Sequence, residues 1–298
     1  MIITILASTW IVILAAGAVG AQPGHPIRHG SMPAVSRDGR WVAFASERDG
    51  TWDLYRIGAD GQGLRRLTRT AEEELVPQWT RDGSLVAMFA SDESTRLGAI
   101  GTDGAVRTLT TGLRKGSALS NNGRRIAYAL GSWQRNRLYV ADLDGSHARA
   151  LTDSTAGWFN MAWSPDDRTI AVTRRDATGD LQVWLIDVDD VGRRALTHFA
   201  QRDGRPQWPA WSSDGTKIAI QAGLYDRDHP ERSDAYIWVI DVASGRATRL
   251  GSHDRPWLDE TPSWFPDGKR IACQSTRTGR FEIWVMDADG TDARPITR

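Results

Sequence analysis

The chain has 298 residues, with 37 basic and 37 acidic side chains, and therefore no formal net charge. This balance argues against nucleic acid or an anionic membrane surface as the main partner, because both attract a strongly basic field. The single cysteine, Cys273, excludes a disulfide within the chain and a zinc site built from several cysteines. Tryptophan is the unusual residue, with 14 copies against 5 tyrosines and 6 phenylalanines.

The N-terminal segment has the pattern of a targeting signal. Residues 1–22 contain no charged side chain, and an apolar run over 10–16 is followed by small residues at 17–21. We predict a signal peptide over 1–21 and a lead-in segment over 22–31, hence a periplasmic or secreted protein. The alternative is an uncleaved anchor, since about 20 apolar residues can span a bilayer. In an export compartment, Cys273 is expected to be buried.

One pattern of short strands and turns recurs six times after residue 31. Its sharpest copy begins at Pro262-Ser263-Trp264-Phe265-Pro266-Asp267-Gly268 and closes at Ile296-Thr297. Asp-Gly, Asn-Gly or a variant stands at two turns of each copy, and these residues favour tight hairpins because they tolerate positive φ. The segments between the turns are short and β-branched or aromatic, as in strands. Four strands in each copy make a propeller blade.

We therefore predict an all-β fold, a six-bladed β-propeller of four-stranded antiparallel blades. The blades are predicted at about 32–68, 74–110, 115–152, 159–197, 207–250 and 260–298. The first copy starts with its first strand and the last copy ends with its fourth, so no blade needs strands from both ends of the chain. The seam between blades 1 and 6 is then expected to depend on side-chain packing.

The copy that starts at Pro262, with Glu282-Ile283-Trp284-Val285-Met286-Asp287 and Asp289-Gly290 after it, resembles the TolB-type, WD40-like propeller repeat. The resemblance covers the six copies and is weakest at Leu97–Ile100. It is to the propeller domain of TolB, a periplasmic protein of the Tol–Pal envelope system, without the N-terminal α/β domain of that protein. The resemblance implies an envelope protein that binds a protein or peptide partner.

Strand order sorts the loops and the tryptophans between the two faces of the disc. Both Asp-Gly turns of every blade lie on one side, here called the Asp-Gly face, and the other connections lie on the opposite, loop-rich face. Tryptophans at repeated strand positions are predicted to be inter-blade core, namely Trp79, Trp163, Trp184, Trp211, Trp238, Trp264 and Trp284. Four others fall on the loop-rich face, where exposed indoles supply contact area to a partner, namely Trp133, Trp158, Trp208 and Trp257.

Charged residues just before the first strands are predicted at the loop-rich mouth of the central tunnel. Glu74, Arg114, Asp259 and Glu260 carry both signs of charge, which suits ionic contacts with a protein partner. With the four loop tryptophans they form the predicted partner-binding set. Two alternatives stay open, because these tryptophans can fill gaps beneath long loops and the charges can form a solvated rim.

The sequence contains no catalytic signature that we recognise. It has neither a Gly-x-Ser-x-Gly elbow nor a glycine-rich phosphate loop, so we predict no catalytic residue and no cofactor. His198, His229 and His253 are the only candidate metal ligands on the loop-rich face.

The predicted function is an exported scaffold that binds a protein or peptide at the cell envelope. One alternative is a carbohydrate-active or metal-dependent enzyme that resembles polysaccharide lyases. Another is the detached propeller of a hydrolase that resembles prolyl oligopeptidases.

Overall fold

A computed structural model describes residues 29–91, 95–112, 117–132, 134–175, 179–200, 203–225, 232–251 and 256–298. These residues form six four-stranded sheets, and each sheet takes four consecutive strands of the chain. The strands within each sheet pair antiparallel, as β1 does with β2 and β2 with β3. The predicted six-bladed propeller is therefore confirmed. In these ranges no helix is long and apolar enough to cross a membrane. The predicted signal peptide lies outside them and stays a prediction.

The first three blades contain strands β1 to β12. Blade 1 comprises β1 (Ser31–Val35), β2 (Trp41–Ser46), β3 (Asp53–Gly58) and β4 (Arg65–Arg66). Blade 2 comprises β5 (Glu73–Trp79), β6 (Leu85–Ala90), β7 (Thr95–Ile100) and β8 (Val106–Thr111). Blade 3 comprises β9 (Ala118–Leu119), β10 (Arg125–Gly131), β11 (Asn136–Asp142) and β12 (Arg149–Ala150).

The last three blades contain strands β13 to β24. Blade 4 comprises β13 (Trp158–Trp163), β14 (Thr169–Arg175), β15 (Leu181–Asp187) and β16 (Arg193–Ala195). Blade 5 comprises β17 (Gln207–Trp211), β18 (Lys217–Leu224), β19 (Asp234–Asp241) and β20 (Ala247–Arg249). Blade 6 comprises β21 (Asp259–Trp264), β22 (Arg270–Ser275), β23 (Glu282–Asp287) and β24 (Arg294–Pro295).

The hydrophobic core consists of layers between successive blades. Phe44 of blade 1 packs in one cluster with Ile283 of blade 6, and Val183 of blade 4 shares a cluster with Ile220 of blade 5. Side chains of a strand point alternately to the two sides of its sheet, so each blade buries one face against each neighbour. A single blade cannot cover its own apolar faces, and the fold is stable only as a closed ring.

Four first-strand tryptophans join their blades to the preceding blade. Each indole Nε1–H donates to an alanine carbonyl one blade earlier, as Trp79 does to Ala34 at 3.0 Å, Trp163 to Ala118 at 2.9 Å, Trp211 to Ala162 at 3.1 Å and Trp264 to Ala210 at 3.1 Å. The predicted inter-blade place of these four tryptophans is confirmed. Besides burying apolar surface, each ring satisfies a carbonyl of the neighbouring blade.

The other two seams use smaller polar groups. Between blades 2 and 3, where the repeat has Leu119 in place of tryptophan, Gln78 Nε2 donates to the Leu119 carbonyl at 2.6 Å. Between blades 6 and 1, the Val35 N–H donates to Ser263 Oγ at 3.1 Å. Among the described residues, no strand from the start of the chain joins blade 6. The closing seam depends on side chains, as expected from the phase of the repeat.

Replacing Trp211 by Phe tests the indole bond against a matched variant, Trp238→Phe. Both changes shrink a partly buried ring, but the Trp238 Nε1 has no hydrogen-bond partner. We expect Trp211→Phe to lower the free energy of unfolding by about 1 kcal/mol more than Trp238→Phe does, because it removes the hydrogen bond from the indole N–H to the Ala162 carbonyl. Guanidinium unfolding of both variants measures this difference, and equal losses would contradict the role of the bond.

Cys273 lies on β22 inside the layer between blades 5 and 6, with no exposed surface. Burial and the nearby Asp259 raise the pKa of its thiol well above the usual value. We therefore expect no reaction with a thiol reagent such as dithionitrobenzoate in the native protein, and one equivalent after denaturation. Rapid labelling of the folded protein would show that this layer opens in solution.

Candidate functional site

Five of the first strands contain a β-bulge at their loop-rich end. The pairing of first and second strands shifts register at this point in blades 1, 2, 4, 5 and 6. The residue in each bulge has positive φ, with values of 52° at Met32, 51° at Val76, 45° at Asn160, 53° at Trp208 and 48° at Thr261. Such backbone is strained for side chains that are branched or bulky. In these five blades, a residue with strained backbone therefore lies beside the tunnel mouth.

Two of these bulges are held by glutamines of the preceding blade. Gln221 Oε1 accepts from the Thr261 N–H at 2.8 Å, and Gln274 Oε1 accepts from the Met32 N–H at 3.1 Å. A bulge takes one N–H out of the regular ladder, and a buried N–H needs another acceptor. These glutamines therefore fix the start of the next blade's first strand.

The tunnel on the ring axis has a volume of about 290 Å³ and is lined by all six first strands. Near the loop-rich end its lining is apolar and includes Val76, Pro77, Trp208, Pro209 and Pro262. Trp208 occupies the bulge of blade 5 and remains partly exposed. Its indole is thus held by the backbone at the mouth of an apolar tunnel.

The opposite end of the tunnel is crossed by polar contacts. Arg37 Nη2 donates to Asn121 Oδ1 at 2.6 Å, which links blade 1 to blade 3. Arg81 Nη2 donates to the Pro165 carbonyl at 2.8 Å, which links blade 2 to blade 4. Because these bonds join blades that are not neighbours, they narrow the tunnel on the Asp-Gly face.

Asp167 adds a further fixed contact on the Asp-Gly face. It stands where the other described blades have the turn glycine, adopts φ of 60° and is only 2% exposed. Its carboxylate accepts from the Asn121 N–H at 2.6 Å and from the Asn122 N–H at 3.0 Å. The departure from Asp-Gly in this blade therefore stabilises the adjacent turn of blade 3.

A groove of about 670 Å³ also lies on the Asp-Gly face, between blades 4 and 5. Its lining includes Asp166 and Asp214, whose carboxylates accept from Ser164 Oγ at 2.6 Å and Ser212 Oγ at 2.7 Å. These bonds belong to the turns themselves. Within the described ranges, no group of three or more His, Cys, Asp or Glu side chains is arranged to hold a metal ion.

Glu74, one of the predicted rim charges, is fully buried. Its carboxylate accepts from the Leu54 N–H at 3.1 Å and from Thr70 Oγ1 at 2.8 Å, and Thr68 Oγ1 donates to it as well. The side chain therefore clamps the connection between blades 1 and 2. Its role in partner binding stays a prediction.

The other two predicted carboxylates are also buried and engaged. Asp259 forms an ion pair with Arg277 at 2.6 Å. Glu260 accepts from Tyr225 at 2.8 Å and from Gln274 Nε2 at 2.7 Å. Burial and the neighbouring Glu260 raise the pKa of the Tyr225 phenol well above its usual value, so the phenol stays a donor. Arg114 lies outside the described residues.

The loop tryptophans fall into different environments. Trp208 and Trp257 are partly exposed, and Trp257 lies 5.1 Å from the Arg277 guanidinium. Trp158 is 1% exposed and meets Trp184 edge to face with ring centroids 6.1 Å apart. This burial corresponds to the packing alternative. Trp133 lies outside the described residues, and the partner-binding role of all four stays a prediction.

Only one of the three candidate metal ligands lies in the described part of the chain. His198 is exposed, and His229 and His253 lie outside the described residues. The three histidines stay candidate ligands only. Sequence reasoning missed Gln221, Gln274 and Arg174. A signal was present, since both glutamines follow an apolar three-residue run that begins with Ile-Ala, at the same repeat position.

A closed ring of six four-stranded blades defines the class, a β-propeller. The TolB beta propeller domain family matches residues 25–154 and 125–298, and the chain belongs to this family. It is 32% identical over 211 residues to the Tol-Pal system protein TolB of Anaeromyxobacter dehalogenans, which covers 71% of this chain and 37% of that protein.

Two further relatives show the range of proteins that contain this ring. Dipeptidyl-peptidase 5 of Porphyromonas gingivalis is 24% identical over 321 residues, covering 85% of this chain and 46% of that protein. The chain thus spans less than half the length of these curated relatives. The crystal structure of TolB from Acinetobacter baumannii superposes with a TM-score of 0.66 at 21% identity, covering 85% of this chain and 62% of that one, which shows the shared fold.

Replacing Gln274 by Leu tests how the closing seam is held. The change removes the acceptor of the Met32 N–H and the donor to Glu260, so we expect the free energy of unfolding to fall by about 2 kcal/mol or more. The control is Gln62→Leu in an exposed turn, with an expected effect within about 0.5 kcal/mol. Guanidinium unfolding compares the variants, and equal effects would show that the glutamine does not secure the seam.

Proposed function

We propose that this chain is an exported, TolB-like scaffold that binds a protein or peptide partner in the periplasm or cell envelope through its loop-rich face. The observation that carries the proposal is the asymmetry of the tunnel. Its loop-rich mouth is apolar and presents Trp208, whereas polar bonds from Arg37 and Arg81 cross the other end. The similarity to a Tol-Pal system protein supports a role at the envelope.

Trp208 is the favoured contact residue on physical grounds. A partly exposed indole offers a large apolar area and one N–H donor, and few rotatable bonds are immobilised on binding. The bulge that contains Trp208 fixes its backbone before the partner arrives, which reduces the entropy lost on association. Trp257, also partly exposed, extends the apolar surface towards blade 6.

In the proposed binding mode, the buried carboxylates support the binding face and do not contact the partner. Glu74, Asp259 and Glu260 already accept hydrogen bonds or form ion pairs inside the chain. Breaking these bonds to reach a partner would leave buried groups unpaired at a high cost. They therefore hold the loop-rich ends of the blades in place, while the tryptophans make the direct contact.

A second candidate is the propeller of a hydrolase that works with a separate catalytic chain. The observation that favours it is the similarity to dipeptidyl-peptidase 5 over 85% of this chain. It predicts that the captured partner is a peptidase. The lyase-like, metal-dependent alternative predicts stoichiometric metal by elemental analysis of the purified protein, together with cleavage of uronate oligosaccharides.

Exchange of Trp208 for Ala tests the proposed face. The wild-type protein, Trp208→Ala and the double variant Trp208→Ala, Trp257→Ala are used to capture partners from envelope extracts, and the recovered protein is identified by mass spectrometry. Loss of one buried tryptophan contact costs about 2 kcal/mol or more, so we expect the affinity of the purified partner to fall at least about thirtyfold. Calorimetry with the purified partner measures the change.

Leu64 provides a matched control on the opposite face. It is 45% exposed in a turn between β3 and β4, so Leu64→Ala removes exposed apolar surface from the Asp-Gly face. We expect this variant to bind the partner as the wild type does. Unchanged binding by the tryptophan variants, or a loss confined to Leu64→Ala, would place the partner elsewhere and refute the proposed face.

A further inference from the structure

Arg174 lies against two indole rings that contact each other at the loop-rich end of blade 4. It lies on β14 directly opposite Trp158 of β13, and Trp184 stands diagonally across on β15. The guanidinium carbon is 5.0 Å from the Trp158 ring centroid and 4.7 Å from that of Trp184. Arg174 is only partly buried, so the cation can be approached from solvent.

In the part of the chain that the structure describes, Arg174 forms no ion pair. Several other partly buried arginines at this face are neutralised by a carboxylate, as Arg66 is by Asp53 at 2.8 Å and Arg277 is by Asp259 at 2.6 Å. Arg96 likewise forms an ion pair with Glu72. A cation that is partly removed from water is costly unless an anion balances it. Within the same ranges, Arg48 of blade 1 has no ion pair either, but its Nε donates to Ser46 Oγ at 3.0 Å and its Nη2 donates to the His29 carbonyl. By contrast, Arg174 Nε has no hydrogen-bond partner in the described residues.

Blade 6 contains a similar cluster in which a carboxylate balances the arginine, although Arg277 lies two residues beyond Ser275, the repeat position that matches Arg174. Its Arg277 lies 5.1 Å from Trp257 and 5.3 Å from Trp284, which matches Trp184 in the repeat. Asp259, the first residue of β21, supplies the carboxylate. The first residue of β13 is Trp158, so blade 4 has an aromatic ring where blade 6 has the anion.

Three N–H donors of the Arg174 cluster are buried without a hydrogen-bond partner. They are the Nε of Arg174 and the Nε1 atoms of Trp158 and Trp184. A buried donor without an acceptor costs free energy, and native structures contain few of them. The Nε1 atom of Trp284 in blade 6 also lacks a hydrogen-bond partner, so Arg174 Nε is the donor that sets the blade 4 cluster apart, and the described residues supply no acceptor for it.

We infer that Arg174, flanked by Trp158 and Trp184, is a binding site for a carboxylate that a partner protein presents to the loop-rich face. This inference rests on the proposed function, because it names the chemistry that the partner supplies. The carboxylate balances the charge of Arg174 as Asp259 balances that of Arg277 in blade 6. A planar guanidinium binds a carboxylate through two parallel hydrogen bonds, and the flanking rings keep water from competing.

A partner can present this group in two ways, as an acidic side chain or as the carboxyl end of its chain. Two short peptides separate these sources. The first is acetyl-Ala-Ala-Glu-Ala-Ala-amide, which has only a side-chain carboxylate. The second is acetyl-penta-alanine with a free C-terminus, and the neutral control is acetyl-Ala-Ala-Gln-Ala-Ala-amide.

The test follows the indole N–H signals of Trp158 and Trp184 in proton–nitrogen correlation spectra of the full chain. Single Trp158→Phe and Trp184→Phe variants assign these signals. We expect at least one carboxylate peptide, and not the neutral peptide, to shift both signals in a saturable manner. Arg174→Gln should weaken that binding at least about tenfold, since a hydrogen bond to a charged group is lost.

The neighbouring residue provides the matched control. Arg175 is exposed and donates to the Gly179 carbonyl. Arg175→Gln therefore removes the same charge at the adjacent position and should leave the peptide titration unchanged. Dispersed spectra of both variants show that they are folded. A reciprocal variant, Asp259→Asn, removes the internal carboxylate of blade 6 and should make the Trp284 signal respond to the same peptide.

Several outcomes would overturn the inference. Signals that do not move with either peptide, or that move equally in Arg174→Gln, would show that no carboxylate binds there. A response to trigalacturonate but to neither peptide would assign the site to a carbohydrate instead. The peptide titration needs no natural partner, so its result is independent of partner capture. The Arg174 site can be refuted while capture through Trp208 succeeds, and it can be confirmed while that capture fails.

Discussion

The innermost contact between blades is the interaction on which the ring depends. A propeller blade exposes apolar side chains on both faces of its sheet and can bury them only against its neighbours. Near the axis, the indoles of Trp79, Trp163, Trp211 and Trp264 both pack in these layers and donate to a carbonyl of the preceding blade. These bonds set the spacing of the first strands, and thereby the width of the tunnel that they line.

The bulges convert this spacing into a defined surface. Positive φ at Val76, Trp208 and Thr261 is unfavourable for an isolated chain, and such strain persists only where the surrounding structure imposes it. Here the imposing contacts come from neighbouring blades, as with the glutamine that accepts from the Thr261 N–H. The tunnel mouth is thus a property of the assembled ring, and its tryptophan is oriented before any partner binds.

The fold could be predicted because turns, strand lengths and tryptophan positions are local features that recur in the six repeats of the sequence. The site could be predicted only in part. Glu74 and Glu260 look like rim charges in the sequence, but hydroxyl and amide donors that the fold brings to them make it possible to bury them. The bulge that brings Gln221 to Thr261 depends on a register shift, which strand periodicity does not reveal. Arg174 is noticeable only once its lack of an anion is known.

In a repeat protein, the equivalent residues of the other repeats show which role a position normally has. Asp167 departs from the turn glycine of the other described blades, and its carboxylate gains bonds to the turn of blade 3, so this departure is explained within the chain. Trp158 departs from the carboxylate that Asp259 provides, and it leaves Arg174 beside two rings without an anion. A departure that adds contacts has a structural reason. One that leaves a cation unbalanced has no such reason within the described fold, and it points to a group that another molecule supplies.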